Sequence, residues 1–130
     1  MVNSKYEIVV GLETHVELST KTKAFCSCKN EFGGMVNSNT CPVCLGLPGA
    51  MSILNKAMVE YAIKMGKACN CKINNVTKMD RKHYFYPDLI KGYQLSQLDI
   101  PLCQNGTVEI MLGETGETKN IRIHQIHIEE

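Results

Sequence analysis

Two closely spaced cysteine pairs constrain this 130-residue chain more than any other feature. A CxC pair, Cys26 and Cys28, is followed after twelve intervening residues by a CxxC pair, Cys41 and Cys44. Four thiolates in two tight pairs suit tetrahedral zinc, and a closed four-cysteine site is structural rather than catalytic. The surrounding segment is rich in glycine, asparagine and proline and lacks the periodicity of a helix or strand. We therefore predict a zinc-binding loop over about residues 25–48; the alternative is four unrelated free cysteines.

Composition limits the class of protein. Hydrophobic residues make up 44% of the chain and charged residues 21%, which is typical of one globular domain. The net charge of +1 does not indicate nucleic-acid binding, although a local basic patch remains an alternative. An odd number of cysteines, seven, without a secretory leader favours reduced thiols or a metal site over disulfides. Because no apolar run approaches the length of a membrane span, we expect a cytoplasmic protein with no membrane contact.

A second pattern alternates apolar and polar side chains over residues 7–18 and predicts a strand with one face in the core. Glu13 and His15, two residues apart, would then lie on the same polar face, close enough to ligate one divalent ion. Glu129 and Glu130 could supply a further ligand, and carboxylate-rich sites favour Mg²⁺ or Mn²⁺. The alternative is a solvated polar face that binds no metal.

A third pattern interleaves basic and aromatic residues. The chain reads DRKHYFYPD over residues 80–88 and KGYQ over 91–94. Basic side chains can bind phosphate while an aromatic ring contacts a base or ribose, so the pattern suits a nucleotide. Its alternative is a strand with a solvated basic edge. The sequence contains no P-loop, so any use of ATP would rely on another type of site.

Hydrophobic spacing predicts one main helix. Apolar residues recur at three- and four-residue steps over 54–65, with an end near residue 70. Asn55 is the candidate N-cap, and Ser52 is the alternative, one turn earlier. Strand-like sequence follows over 72–86. The overall prediction is an α+β fold, with a mostly antiparallel sheet and one main helix.

Turn signals divide the last third of the chain into strands. Asn105-Gly106 predicts a hairpin turn, and residues 113–117 predict a second turn. A last strand over 119–129 changes its hydrophobic phase, which we expect a bulge near His124-Gln125 to resolve. Because the chain stops within this strand, we expect it to be a piece of a longer protein.

Four motifs in fixed order resemble one known family, the B subunits of tRNA-dependent amidotransferases. They are VGLETHVEL over residues 10–18, CPVCLGLPG over 41–49, DRKHYFYPDL over 80–89 and KGYQLSQ over 91–97. The resemblance covers the chain from about residue 5. It implies that residues 1–130 are the N-terminal part of a single catalytic domain. That domain would be a kinase-type cradle similar to the glutamine synthetase and guanidino kinase folds.

The resemblance also implies an activity, that of a carbon–nitrogen ligase. Such enzymes are glutaminyl/asparaginyl-tRNA synthases (glutamine-hydrolysing): ATP phosphorylates the side-chain carboxylate of misacylated Glu-tRNA(Gln) or Asp-tRNA(Asn). Ammonia from a partner amidase then displaces phosphate to give the amide. The implied partners are the amidase (the A subunit), the small C subunit, misacylated tRNA and ATP. We expect this piece alone to be inactive, because the family's cradle continues past residue 130.

Site residues follow from the resemblance by motif. It implies Glu13, His15 and Glu130 as magnesium ligands in the catalytic site. It implies Cys26, Cys28, Cys41 and Cys44 as the structural zinc set. We infer nucleotide or acyl-tRNA contact for Arg81, Lys82 and Tyr84. Two rival hypotheses stay open: a zinc-stabilised module that binds RNA or protein without catalysis, and a zinc-ribbon scaffold with no active site.

Overall fold

One α-helix and two antiparallel sheets form the regular structure of residues 5–130, the part of the chain that the computed structural model describes. The predicted α+β class is confirmed. Strands β1, β4 and β5 form one sheet in that order, and β2 pairs with β3 in the other. The elements are α1 (Lys56–Ala68), β1 (Lys72–Ile73), β2 (Asp80–His83), β3 (Tyr93–Ser96), β4 (Cys103–Leu112) and β5 (Glu117–Ile126).

Helix α1 begins where it was predicted, at an asparagine cap. The Oδ1 atom of Asn55 accepts a hydrogen bond from the Ala57 backbone N–H at 3.0 Å, which satisfies one of the free donors of the first turn. Met58 and Ala62, one turn apart, are buried on the face that meets the sheet. At 13 residues the helix is too short to cross a bilayer, and no other helix occurs among residues 5–130.

The core lies between α1 and the three-stranded sheet. Its buried members are Met58, Ala62, Leu102, Cys103 and Ile128. Gly66 brings the helix close to the sheet, because a β-carbon there would lie 2.5 Å from Cys103 Sγ and 2.8 Å from Ile73 Cδ1. The glycine therefore weakens the helix locally but allows tight packing.

The predicted hairpin turn at Asn105-Gly106 is wrong, because strand β4 runs without interruption through both residues. Asn105 adopts a φ of 55°, and buried Gly106 packs against the Cys69 carbonyl and the Cys71 sulfur. The Thr107 N–H then donates to the Cys69 oxygen at 2.8 Å. Contact with the end of α1, rather than a chain reversal, explains the glycine at 106. The predicted turn over 113–117 does join β4 to β5.

The predicted bulge near His124-Gln125 is also wrong. Cys103 pairs with Ile126 and Leu112 with Glu117, so the register stays constant along the hairpin and no residue is inserted. The change of hydrophobic phase has another cause. Ile126 and Ile128 pack at the core, whereas Ile121 is 37% exposed on the opposite face of the hairpin.

Residues 7–18 do not form the predicted strand. No described strand pairs with this segment, and its apolar residues are exposed, with Ile8 at 79% and Leu12 at 91%. Alternation predicts two faces, but a strand also needs a neighbour for its backbone hydrogen bonds. Only Leu18, at the end of the segment, packs against the core. Likewise, the single strand predicted over 72–86 is two short strands, β1 and β2.

The packing at Gly66 generates a stability prediction. We expect Gly66→Ala to lower the free energy of unfolding by about 1–3 kcal/mol, because the added methyl group would overpack the junction of α1, β1 and β4. Urea unfolding followed by far-ultraviolet circular dichroism measures this change. Helix propensity alone would favour alanine, so a more stable variant would contradict the packing account. Gly11→Ala is the control: no heavy atom lies within 4 Å of the place that its β-carbon would take, and we expect a change within about 0.5 kcal/mol.

Candidate functional site

The four predicted zinc ligands lie together. The sulfur atoms of Cys26, Cys28, Cys41 and Cys44 all lie within 4.8 Å of one another. Cys44 Sγ is 3.5 Å from Cys26 Sγ, 3.7 Å from Cys41 Sγ and 3.9 Å from Cys28 Sγ. Tetrahedral zinc with Zn–S bonds of about 2.3 Å requires sulfur–sulfur separations of about 3.8 Å. The arrangement therefore fits a metal ion bound by four thiolates.

Backbone hydrogen bonds order each cysteine pair separately. Around the first pair, Lys23 N–H donates to the Cys28 carbonyl at 3.0 Å, and Phe25 is buried with 3% exposure. Around the second pair, Leu45 N–H donates to the Cys41 carbonyl at 3.1 Å. Residues 31–40 between the pairs form no helix or strand. The sulfur group is thus the main junction between two separately folded turns.

The sulfur atoms perturb one another's protonation. The pKa of Cys28 is raised to about 12, mainly by removal of the thiol from water and further by the neighbouring thiols. The Cys44 backbone N–H is the main cause that lowers the pKa of Cys41 to about 7. Thiolates this close together repel one another, so a bound cation would stabilise the fully ionised group.

A cleft of about 140 Å³ separates the second cysteine turn from the β2–β3 hairpin. Val43, Gly46 and Ser52 line one wall, and Arg81 and Tyr93 line the other. The walls are in close contact, because a β-carbon on Gly46 would lie 2.5 Å from Lys91 Cβ. Folding of the cysteine loop therefore shapes one side of this cleft.

Cations and one tyrosine ring meet at the cleft. The Arg81 guanidinium lies 4.4 Å from the Tyr93 ring centroid, and Lys91 Nζ lies 5.4 Å from the same centroid. Lys91 is almost fully buried, with 5% side-chain exposure, and forms an ion pair with Glu130. No ion pair among residues 5–130 includes Arg81. The cleft can therefore offer a stacked guanidinium to an anionic ligand.

The structure separates the three residues predicted to contact a nucleotide. Side chains alternate along β2, so Arg81 and Lys82 point to opposite faces. Lys82 Nζ binds the Glu129 carboxylate at 2.8 Å, and Tyr84 lies beside Tyr86 with ring centroids 6.5 Å apart. Only Arg81 lines the cleft.

Acidic groups gather near Lys82. The Glu129 carboxylate, hydrogen-bonded to Lys82, is the main cause that raises the pKa of that lysine, and Glu13 also contributes. Burial alone would raise the pKa of Glu129, but Lys82 and His127 together outweigh it and the pKa is lowered. His127 Nε2 lies 3.5 Å from Glu129 Oε2. Glu13 therefore lies within electrostatic range of the Lys82–Glu129 pair.

The predicted magnesium ligands do not form a common ligand group. Among residues 5–130, the cysteine cluster is the one group of three or more potential ligand residues with mutually close donor atoms. Glu13 and His15 are exposed, whereas Glu130 pairs with Lys91 and accepts a hydrogen bond from the Leu95 N–H at 3.3 Å. Magnesium binding by Glu13, His15 and Glu130 stays a prediction.

Sequence reasoning did not assign Lys91 or Tyr93 to the site. Both belong to the KGYQ motif, which indicated a basic and aromatic surface without specifying which side chains share a face. The pairing of His83 with Tyr93 across β2 and β3 sets that geometry. The composition of the KGYQ motif indicated a binding surface. The side chains that share a face depend on the register of β2 with β3, which the sequence alone does not give.

Comparison with known proteins establishes the family. A family model described as the GatB/GatE catalytic domain matches residues 8–130. The chain belongs to the GatB/GatE catalytic domain family. The match includes the cysteine group, the cleft and the Lys82–Glu129 pair, so these features lie within the catalytic domain of the family.

Relatives in this family are closely similar to the chain. The B subunit of the aspartyl/glutamyl-tRNA(Asn/Gln) amidotransferase of Thermoanaerobacter pseudethanolicus is 60% identical over 126 residues, 97% of this chain and 26% of that protein. The protein of the same name from Treponema denticola is 56% identical over 131 residues, 98% of this chain and 27% of that protein. The chain thus spans about a quarter of the length of these relatives.

Proposed function

We propose that this chain is part of a tRNA-dependent amidotransferase, a carbon–nitrogen ligase that converts misacylated Glu-tRNA(Gln) or Asp-tRNA(Asn) to the amide. The observation that carries this proposal is the family match over residues 8–130, together with relatives about 60% identical that bear this name. In this proposal residues 1–130 form part of one catalytic domain with a kinase-type cradle.

The reaction needs an activated carboxylate, because a free carboxylate is a poor electrophile. Transfer of the ATP γ-phosphoryl group to the side-chain carboxylate would supply phosphate as a leaving group. Ammonia from the amidase, the A subunit, would then displace it. The small C subunit, ATP and misacylated tRNA complete the proposed partners. A protein that acts on tRNA in this way would work in the cytoplasm.

Arg81 is the residue of this chain best placed to bind an anionic substrate group. Its guanidinium stacks on Tyr93 at the cleft and pairs with no carboxylate among residues 5–130. A planar guanidinium binds phosphate in a bidentate manner. Lys82 and Tyr84 do not line the cleft, and Lys82 pairs with the Glu129 carboxylate. Contact of these two residues with nucleotide or acyl-tRNA remains part of the proposal.

The proposed mechanism includes no reaction step on a magnesium ion. The chemistry that Mg²⁺ supplies when bound is charge neutralisation on a transferring phosphoryl group. The donor atoms of Glu13, His15 and Glu130 do not form one close group among the described residues. Because Mg²⁺ is commonly bound through one or two carboxylates together with substrate phosphates, these three residues remain the proposed ligands.

The cysteine group is proposed to hold structural zinc. Four sulfur ligands and separations near the tetrahedral value favour zinc over hard cations such as magnesium. Bound zinc would fix the turn that carries Val43 and Gly46, and so one wall of the cleft. The ion would have no open coordination position for catalysis.

The zinc assignment predicts metal content. Purified protein should contain about one zinc per chain by atomic emission, in line with one closed four-thiolate site. Cys44→Ser should reduce the zinc content several-fold, because Cys44 is the sulfur closest to the other three. Cys71→Ser is the matched control, since it removes a thiol outside the group, and it should retain zinc. Equal zinc content in both variants would contradict the assignment.

The proposed activity predicts a loss of transamidation in the complete amidotransferase complex. Glu13→Gln should lower the rate at least a hundredfold without unfolding the protein, because it removes a charge near the Lys82–Glu129 pair. The measurement is ATP-dependent conversion of misacylated tRNA under single-turnover conditions, with thermal unfolding to verify the fold.

Glu114→Gln is the control for that experiment. Glu114 lies exposed in the turn between β4 and β5, and we expect its variant to retain the wild-type rate. Near wild-type transamidation by Glu13→Gln would remove Glu13 from the site. An inactive wild-type complex that still binds tRNA would favour the rival hypothesis of a zinc-stabilised binding module.

A further inference from the structure

Lys23 is a half-buried lysine at the edge of the cysteine group. Its Nζ atom lies 3.7 Å from Cys44 Sγ and donates to the Asn39 carbonyl oxygen at 2.7 Å. Its own N–H donates to the Cys28 carbonyl at 3.0 Å, and its carbonyl accepts from the Asn55 side chain at 3.3 Å. Both the backbone and the ammonium of Lys23 are therefore positioned at the group.

The Lys23 ammonium has no carboxylate partner in the described part of the chain. None of the ion pairs among residues 5–130 includes it. The ammonium contacts the Asn39 carbonyl, which is neutral, and the Cys44 sulfur. A partly desolvated cation without a counter-ion is unfavourable. The charge that would balance this ammonium is a negative charge on the cysteine group.

A metal ion with four thiolates supplies that negative charge. A divalent ion bound to four Cys side chains leaves a net charge of −2, which a nearby ammonium would reduce to −1. Cys44 is central to the group, with the other sulfurs 3.5–3.9 Å away. A charge-assisted hydrogen bond to this sulfur would therefore act on the whole centre.

We propose that Lys23 is a positioning residue of the metal centre, whose ammonium donates to Cys44 Sγ and stabilises the metal-bound four-thiolate state. The inference rests on the proposed metal site. It extends that site beyond its four ligands to a residue that contacts both cysteine pairs, through the Cys28 carbonyl and the Cys44 sulfur. The hydrogen bond lowers the electron density on the sulfur, so the loaded centre would resist chelators and thiol reagents.

Lys23→Met tests the inference because it removes the charge and keeps most of the side-chain length. We expect zinc affinity, measured by competition with a metallochromic chelator, to fall about tenfold or more. In cobalt-substituted protein at saturation, the thiolate-to-cobalt charge-transfer band should shift to lower energy, because the Cys44 sulfur loses its donor. The band reports on the hydrogen bond itself, which a purely structural role would not change.

Two further variants provide the controls. Lys23→Arg keeps a positive donor and should recover most of the affinity and the wild-type band position. Lys21→Met removes an exposed lysine two residues away and should bind zinc as the wild type does. If Lys23→Met does not fold, Lys23→Gln replaces it. Its shorter, neutral amide can still donate to Asn39, and the loss of the positive charge beside the Cys44 sulfur should shift the band in the same direction.

The outcomes separate the two proposals. Wild-type affinity and an unshifted band in the neutral Lys23 variants, with cobalt bound by the cysteines, would overturn the role of Lys23 alone. Wild-type protein that binds neither zinc nor cobalt through its cysteines would overturn the metal site and, with it, this inference. Reduced affinity with a shifted band, rescued by Lys23→Arg, would support both.

Discussion

The mutual approach of four sulfur atoms is the interaction on which the rest of the site depends. The sulfur atoms of Cys26, Cys28, Cys41 and Cys44 lie within 4.8 Å of one another and join two separately hydrogen-bonded turns. Four fully ionised sulfurs at this distance would repel one another, so a compensating cation would stabilise the junction. The proposed zinc, assisted by Lys23, would provide that charge and convert a loop into a fixed surface.

The second cysteine turn forms one wall of the cleft in which we propose that substrate binds. Val43 and Gly46 belong to the second cysteine turn, and they face Arg81 and Tyr93 across the cleft. Asn55 links the first turn to the helix, since its side chain caps α1 and also donates to the Thr22 carbonyl at 3.1 Å. A structural metal could thus position a substrate-binding wall without contacting substrate.

Local features of the fold could be predicted from sequence, whereas features that depend on distant pairing could not. Cysteine spacing and the Asn55 cap act within a few residues, so the grouping of the four cysteines and the cap at the start of α1 could be predicted. The strand over 7–18 was wrong because alternation does not identify a pairing partner. The turn at Asn105-Gly106 was wrong because Gly106 serves close packing against the end of α1, and the contribution of Tyr93 to the cleft depends on the β2–β3 register.

Amide hydrogen exchange across the cysteine turns tests the central claim most directly. The N–H groups of Leu45, Gly46 and Leu47 donate to the carbonyls of Cys41, Val43 and Pro42. With zinc bound, we predict slow exchange at these three amides; after chelation, exchange should accelerate at least tenfold, while amides within α1 keep their protection. Unchanged protection of the three amides in metal-free protein would contradict the claim that the metal centre orders the wall of the cleft.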